Sequence, residues 1–184
     1  SELKLYLTCP YQFYLSVVQG YMPEKTGVNL IRGSACHNAI AKIKNEDLWT
    51  SAVDVARHEF EQERNDEKFE DLDAEDEAKL PQLLDETEVI VANWAKLEHK
   101  NKHRIMFTEV PFTVDIGGSF FAGTIDEIRD SMAHEDGPYL VDYKTNITPP
   151  DQIVLRNDIQ FLIYALAMKN GTLYPAGGTA TTHL

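Results

Sequence analysis

Residues 105–129 read IMFTEVPFTVDIGGSFFAGTIDEIR. Ile105 to Ile116 has the content of a β-strand, and Ser119 to Arg129 answers it as a partner strand. Gly117-Gly118 between them is a strong hairpin signal. A turn-like Met132 to Pro138 follows, then a short third strand over Tyr139 to Thr145, closed by Pro149-Pro150. Upstream the period is helical. Leu3, Tyr6 and Leu7 suggest a helical entry interrupted near Cys9-Pro10, with Pro10 in the first turn of a second piece. Gly20 to Asn29 reads as a loop. Ser34 is placed to N-cap a helix carrying His37, Ile40 and Ile43. A further helix is expected from Ser51 to Arg64, and helical spacing resumes through Leu83, Leu84, Val89, Ile90 and Trp94. Downstream, Asp151 to Lys169 reads as an amphipathic helix and Thr179 to Leu184 as the start of a last strand. No internal repeat is present. The expected class is α/β: a small mixed sheet with an antiparallel meander, flanked by helices.

The chain has 184 residues, 43% hydrophobic and 26% charged. That suits one domain over residues 1–184 and is too apolar for a disordered chain. No stretch approaches the roughly 20 apolar residues of a membrane helix, so no membrane partner is expected. No signal-peptide pattern opens the chain. Cys9 and Cys36 make neither a disulfide framework nor a zinc site. A cytoplasmic or other intracellular compartment is the default. The chain stops inside an expected strand, which reads as a truncated C-terminus.

A net charge of −13 argues at first against a nucleic-acid partner. Its distribution changes that. Glu59 to Glu88 holds 14 acids and 3 bases, so the remainder carries only −2. This stretch reads as an acidic helical insertion around 59–88, whose simplest role is a solvated face. A DNA-mimicking or regulatory arm is the alternative. Lys96, Lys100, Lys102 and Arg104, with His99 and His103 between them, form the densest basic segment. Arg32, Lys42 and Lys44 lie beside His37. Both groups are candidates to track a phosphate backbone, although a basic helix end also interacts favourably with its own dipole.

Asp142 and Lys144 sit two apart on the third strand, so carboxylate and ammonium share one face. Asp126 lies on the preceding strand between Ile125 and Ile128, an expensive place for a carboxylate without a metal or partner. Two acids and a lysine suit phosphodiester hydrolysis. Oxygen ligands hold Mg²⁺, the ion lowers the pKa of a bound water, and a fixed cation offsets developing charge. Gln160 and Tyr164 lie at i and i+4 on one helix face, with Gln160 set among apolar neighbours. His37, on an otherwise apolar face, becomes a ligand candidate beside two acids, and imidazole suits Mn²⁺ more than Mg²⁺. Glu109 is a lesser candidate, as a residue behind the ligands or on a second metal.

Five motifs stand in order: Leu7-Thr8-Cys9-Pro10-Tyr11, Gly33-Ser34-Ala35-Cys36-His37, Gly123-Thr124-Ile125-Asp126, Asp142-Tyr143-Lys144-Thr145 and Gln160-Phe161-Leu162-Ile163-Tyr164. In these the chain resembles the RecB-like nucleases of the PD-(D/E)xK superfamily. The resemblance implies a restriction-endonuclease-like core and a metal-dependent DNA nuclease, an exonuclease or single-strand-processing enzyme. It implies His37, Asp126, Asp142 and the Tyr143 carbonyl as ligands of one or two Mg²⁺ or Mn²⁺ ions. Lys144 becomes the catalytic lysine, with Gln160 and Tyr164 completing the pocket. Repair, recombination and a helicase partner come with the resemblance. Some relatives hold an iron–sulfur cluster on four cysteines; no Cys follows Cys36, so a cluster is not expected. The alternative is a non-catalytic nuclease-like module that binds DNA or a helicase.

Overall fold

The computed structural model describes residues 2–21, 27–131, 137–144, 158–175 and 181–182. The N-terminal helix α1 spans Glu2–Thr8, and α2 spans Pro10–Phe13 before a π-turn over Tyr14–Val18. Pro10 takes the first position of α2, where its missing N–H costs nothing, and the Cys9 thiol caps it by accepting from the Gln12 N–H at 3.5 Å.

Helix α3 (Asn29–Glu46) is central to the helical layer. It starts well before Ser34, so Ser34 is an interior residue and not a cap. The helix continues back through Gly33 because Ile31 and Ala35 on either side are fully buried. Burial of one large aliphatic side chain is worth about 1.5–3 kcal/mol, more than the roughly 1 kcal/mol a helical glycine costs. Helices α4 (Ala52–Arg64) and α5 (Ala74–Glu98) pack on α3 through two apolar clusters. One joins Cys36, Ala39 and Ile43 to Val55, Val91 and Ala95. The other joins Val28, Ile31 and Ala35 to Phe60, Phe69 and Leu83.

The acidic run is therefore not a detached arm. It forms the end of α4, a turn through Phe69 and the first half of α5, and it buries Phe60, Phe69 and Leu83. Its carboxylates meet cations across and along the helices: Glu59 with Lys42 at 3.0 Å, Glu88 with Arg57 at 2.8 Å, Glu77 with Arg64 at 2.7 Å, and Glu86 with Arg32.

Strands β1 (Ile105–Ile116) and β2 (Ser119–Arg129) form the long hairpin. Gly117 and Gly118 turn it with φ of 62° and 86°, values a side chain would resist, and Asp115 accepts from the Gly118 N–H at 2.8 Å. Strand β3 (Tyr139–Val141) pairs with the far end of β2. Helix α6 (Ile159–Asn170) then leads into β4 (Thr172–Leu173), which adds to β1, and β5 (Thr181–Thr182) pairs with β4. The sheet order is β3-β2-β1-β4-β5.

The α/β class expected from the sequence is the one observed. Every pairing among the described strands is antiparallel. The mixed sheet expected from the sequence thus has no parallel neighbours here, because β4 returns beside β1 in the opposite direction. A third apolar cluster fastens α6 to the sheet through Tyr164, Ala167, Met168, Phe112 and Ile125. Thr145, Pro149-Pro150, most of Met132 to Pro138, the 151–157 part of the expected last helix and most of the last strand lie outside the described residues.

Candidate active site

Four parts of the fold converge at one end of the hairpin. Helix α3 supplies His37, β1 supplies Glu109, β2 supplies Asp126, and the residues leaving β3 supply Asp142, Tyr143 and Lys144. One ligating atom from each of His37, Glu109 and Asp126 lies within 4.8 Å of the others. His37 Nδ1 is 3.6 Å from Asp126 Oδ2, and the Tyr143 backbone N–H donates to that same oxygen at 2.7 Å. Lys144 Nζ stands 2.6 Å from Asp142 Oδ2.

The first turn of α6 closes the arrangement. Asp158 caps the helix by accepting from the Gln160 N–H at 2.9 Å. Gln160 Nε2 donates to Asp142 Oδ1 at 3.2 Å and to the Tyr164 hydroxyl at 2.5 Å, while its Oε1 accepts from Lys144 at 3.4 Å. Gln160 thus touches both the acid and the lysine of the Asp-x-Lys pair.

The electrostatics are those of crowded acids. Burial pushes Asp126 above the usual carboxylate range and the charge of Asp142 adds to it, against the Tyr143 N–H and His37. Burial raises Glu109 as well, and Asp126 raises it further. A divalent cation relieves this repulsion, and the donor set of carboxylate oxygens with one imidazole suits Mg²⁺ or Mn²⁺. Asp142 gives a separate indication. Its side chain is 2% exposed, and Oδ2 has no aligned hydrogen bond despite the nearby Lys144 charge. A carboxylate oxygen carries two lone pairs, so Oδ2 can meet an ion as well as the Lys144 ammonium. The residues present therefore fit such an ion.

The close trio differs from the expected one in a single member. Glu109 stands with His37 and Asp126, and Asp142 faces Lys144 and Gln160 instead. The sequence ranked Glu109 below Asp142, yet the hairpin held the signal. A two-residue turn at Gly117-Gly118 sets the register Thr108↔Glu127 and Val110↔Ile125, which places Glu109 against Asp126. Glu109 also has φ of 46°, the left-handed region, inside a strand. Backbone strain of this kind persists where the surroundings over-determine it, often at functional sites.

Beside the acids lies a buried ionic network that sequence reasoning missed. Glu127, wholly buried, meets Lys44 Nζ at 2.5 Å and also the Arg129 guanidinium. Arg129 reaches Glu98 at 2.7 Å and donates to the Tyr143 hydroxyl at 2.9 Å, which in turn donates to Glu127 at 2.9 Å. The Lys44 ammonium lies 4.5 Å from the Tyr143 ring centre. Tyr143 therefore holds Asp126 by its backbone while its ring is locked from below. Burial lowers the Lys44 pKa, with Glu127 opposing.

The basic residues expected near phosphate are mostly engaged inside the molecule. Arg32 is largely buried against Glu86, Lys42 pairs with Glu59, and Lys44 is in the network. Lys102 meets Asp47 at 2.8 Å, and Arg104 donates to the carbonyls of Asp130 and Ser131. Lys96 and Lys100 are exposed. The side chain of His103 lies outside the described residues.

A helical layer, an antiparallel meander and an Asp-x-Lys pair beside a carboxylate–histidine cluster together define a nuclease-type core. The family model of the PD-(D/E)XK nuclease superfamily matches residues 1–184. The chain belongs to that superfamily, whose members are typically nucleases using divalent metals such as Mg²⁺. Searches of curated proteins and of solved structures found no match. Among the described residues no helix is long and apolar enough to cross a membrane.

Proposed function

We propose that this protein is a RecB-like, divalent-metal-dependent deoxyribonuclease that hydrolyses phosphodiester bonds, as an exonuclease or single-strand-processing enzyme. The observation that carries the reading is the meeting of His37, Glu109 and Asp126 beside the Asp142–Lys144 pair. His37, Asp126, Asp142 and the Tyr143 carbonyl would hold one or two Mg²⁺ or Mn²⁺ ions, with Glu109 joining them through its place in the trio. Bound metal supplies an acidified water and neutralises the phosphate oxygens.

The protein's own groups do the rest. Lys144, held by Asp142 at 2.6 Å, presents an ammonium where charge develops on the phosphorane or where the attacking water must be oriented. Gln160 fixes the distance between Asp142 and Tyr164 by bonding both. The Tyr143 N–H orients Asp126. Lys100, exposed on the segment before β1, is the cation best placed to meet phosphate among Arg32, Lys100, Lys102 and Arg104. Action alongside a helicase or within repair and recombination, in a DNA-containing intracellular compartment, accords with the family resemblance.

The test is cleavage of labelled single- and double-stranded DNA with Mg²⁺ or Mn²⁺. Wild type should cut, and Asp142→Ala and Lys144→Ala should lose at least about 100-fold in rate, the scale of one electrostatic group in a transition state. Equal product from all three would remove the mechanism. Metal-dependent DNA binding without cleavage by wild type would favour a non-catalytic module.

A further inference from the structure

A groove of about 660 Å³ runs from the catalytic cluster toward the turn of the hairpin. Gln160 and Tyr164 form its inner end, so it is continuous with the site where the phosphodiester would be cut. Tyr6 and Phe13, from α1 and α2, form one wall as an edge-to-face pair 5.4 Å apart. Phe120 and Phe121, from the start of β2, line it as well. Gly123 also lines it, and a Cβ there would come within 2.9 Å of the Phe112 ring beneath. Among the described lining residues the only charged one is Glu2.

Phe120 is 82% exposed and Tyr6 half exposed, although both are large aromatic groups. The volume is that of a small-molecule site. The lining itself carries one carboxylate and no cation, and the ammonium groups of Lys4 and Lys144 meet it only at Gln160, its inner end. It suits a flat, uncharged ring system presented to aromatic faces. A nucleobase is such a group, and in nucleic-acid channels base–aromatic stacking is tolerant of sequence. A base can enter only if it is unpaired and out of its duplex stack.

From the continuity of this groove with the Asp142–Gln160–Tyr164 end of the site, we infer that it is a base-stacking subsite. It receives unpaired nucleotides of a single-stranded substrate next to the scissile phosphate, with Phe120 and Tyr6 as the stacking faces. The inference rests on the nuclease reading and adds the strandedness of the substrate and the residues that select it. Phosphates stay at the rim, the bases lie inward, and a paired helix is excluded because its bases are already stacked and paired. The subsite reads no particular base, because none of its stacking faces presents a directional donor–acceptor pattern.

The experiment uses the full chain with Ca²⁺, to measure binding without relying on turnover. The probes are a short thymidine oligonucleotide, the same strand in a duplex, and a strand with one 2-aminopurine moved along it. Wild type should prefer the single strand and quench 2-aminopurine at one or two positions. Phe120→Ala should weaken single-strand binding about tenfold or more and abolish the quenching, with Phe120→Trp restoring both. The Tyr6→Ala/Phe120→Ala pair should lose more than either alone. Phe120 is a surface residue, so folding of its variants is checked simply by unchanged circular dichroism.

Single-strand binding and quenching unaltered in the double variant would overturn the subsite. So would equal loss of single-strand and duplex binding. If those variants bind normally while wild type cuts and Lys144→Ala does not, the nuclease reading stands and the subsite falls. If wild type fails to cut but Phe120 governs single-strand binding, the nuclease reading falls and with it the place beside a scissile phosphate, while the base-stacking role of the groove stands. Failure to bind any oligonucleotide, with a protein partner seated in the groove instead, overturns the subsite.

Discussion

Glu109 carries two costs at one position, a left-handed backbone and a carboxylate opposite Asp126. A left-handed residue other than glycine costs roughly 1–2 kcal/mol. Glu109→Gly removes both costs, offset by the greater freedom of glycine in the unfolded chain. The metal-free melting temperature should therefore hold or rise, while the stabilisation on adding Mn²⁺ should shrink by half or more. A fall in the metal-free value with an unchanged Mn²⁺ effect would show Glu109 to be structural only. Cys36 offers a contrast, a reactive group made inert. Burial pushes its thiol up to about 11, against an opposing Arg32, from an ordinary 9.0. Between those values the unfolded chain ionises and the folded one does not. This contribution to stability is thus complete below pH 9 and lost as pH rises through 11. At pH 8 the Cys9 thiol should alkylate readily and Cys36 only on unfolding, as thiol titration with and without denaturant would read.

At the level of elements, α3 joins the two halves of the molecule. One stretch of it packs Ala35, Cys36 and Ala39 on the helices, and the same helix sends His37 to the acids and Lys44 to Glu127. Glu127 serves two cations, so its removal leaves Lys44 buried without its ion-pair partner and Arg129 with Glu98 alone. Glu127→Leu should destabilise by about 3–5 kcal/mol in urea unfolding, and Lys44→Met by less, because Arg129 still pairs with Glu127. Equal losses would mean that the network acts only as packing. Much of this arrangement was legible in the sequence. The hairpin, the Pro10 start of α2, the α4 span and the Asp142–Lys144 pairing follow from local chemistry, and local chemistry is what a sequence displays. The start of α3 was not, since burial of Ile31 and Ala35 overrode a good cap residue at Ser34. The fates of Arg32, Lys42 and Lys44 were hidden as well. A basic residue looks the same whether it faces phosphate or a carboxylate supplied by a distant helix. Glu109 was legible only as a lesser candidate for a different reason: its partner is named by strand register, which has to be counted across the turn.

Over the whole molecule the acid excess runs from the end of α4 into α5, where it supplies counter-charges to α3, and the separate His37–Glu109–Asp126 cluster is one that a bound cation would balance. A net charge of −13 therefore says little about the partner, whereas the placement of charge says much. The layers also communicate through one residue. Tyr143 gives its backbone to Asp126 and its hydroxyl to Glu127 and Arg129, and its ring meets Trp94 edge-on at 6.0 Å. Trp94 in turn stacks on Trp49 at 5.1 Å. These are the only two tryptophans in the chain. The molecule thus contains its own optical reporter, a pair of coupled indoles ending against the tyrosine whose backbone N–H holds Asp126, a proposed metal ligand. Titration with diamagnetic Mg²⁺ or Ca²⁺ should shift or change the tryptophan emission in wild type, and Tyr143→Ala should silence the response. An emission spectrum indifferent to metal in a protein whose melting temperature still rises would break that line of contact. Otherwise occupancy of the site can be followed in real time without a label.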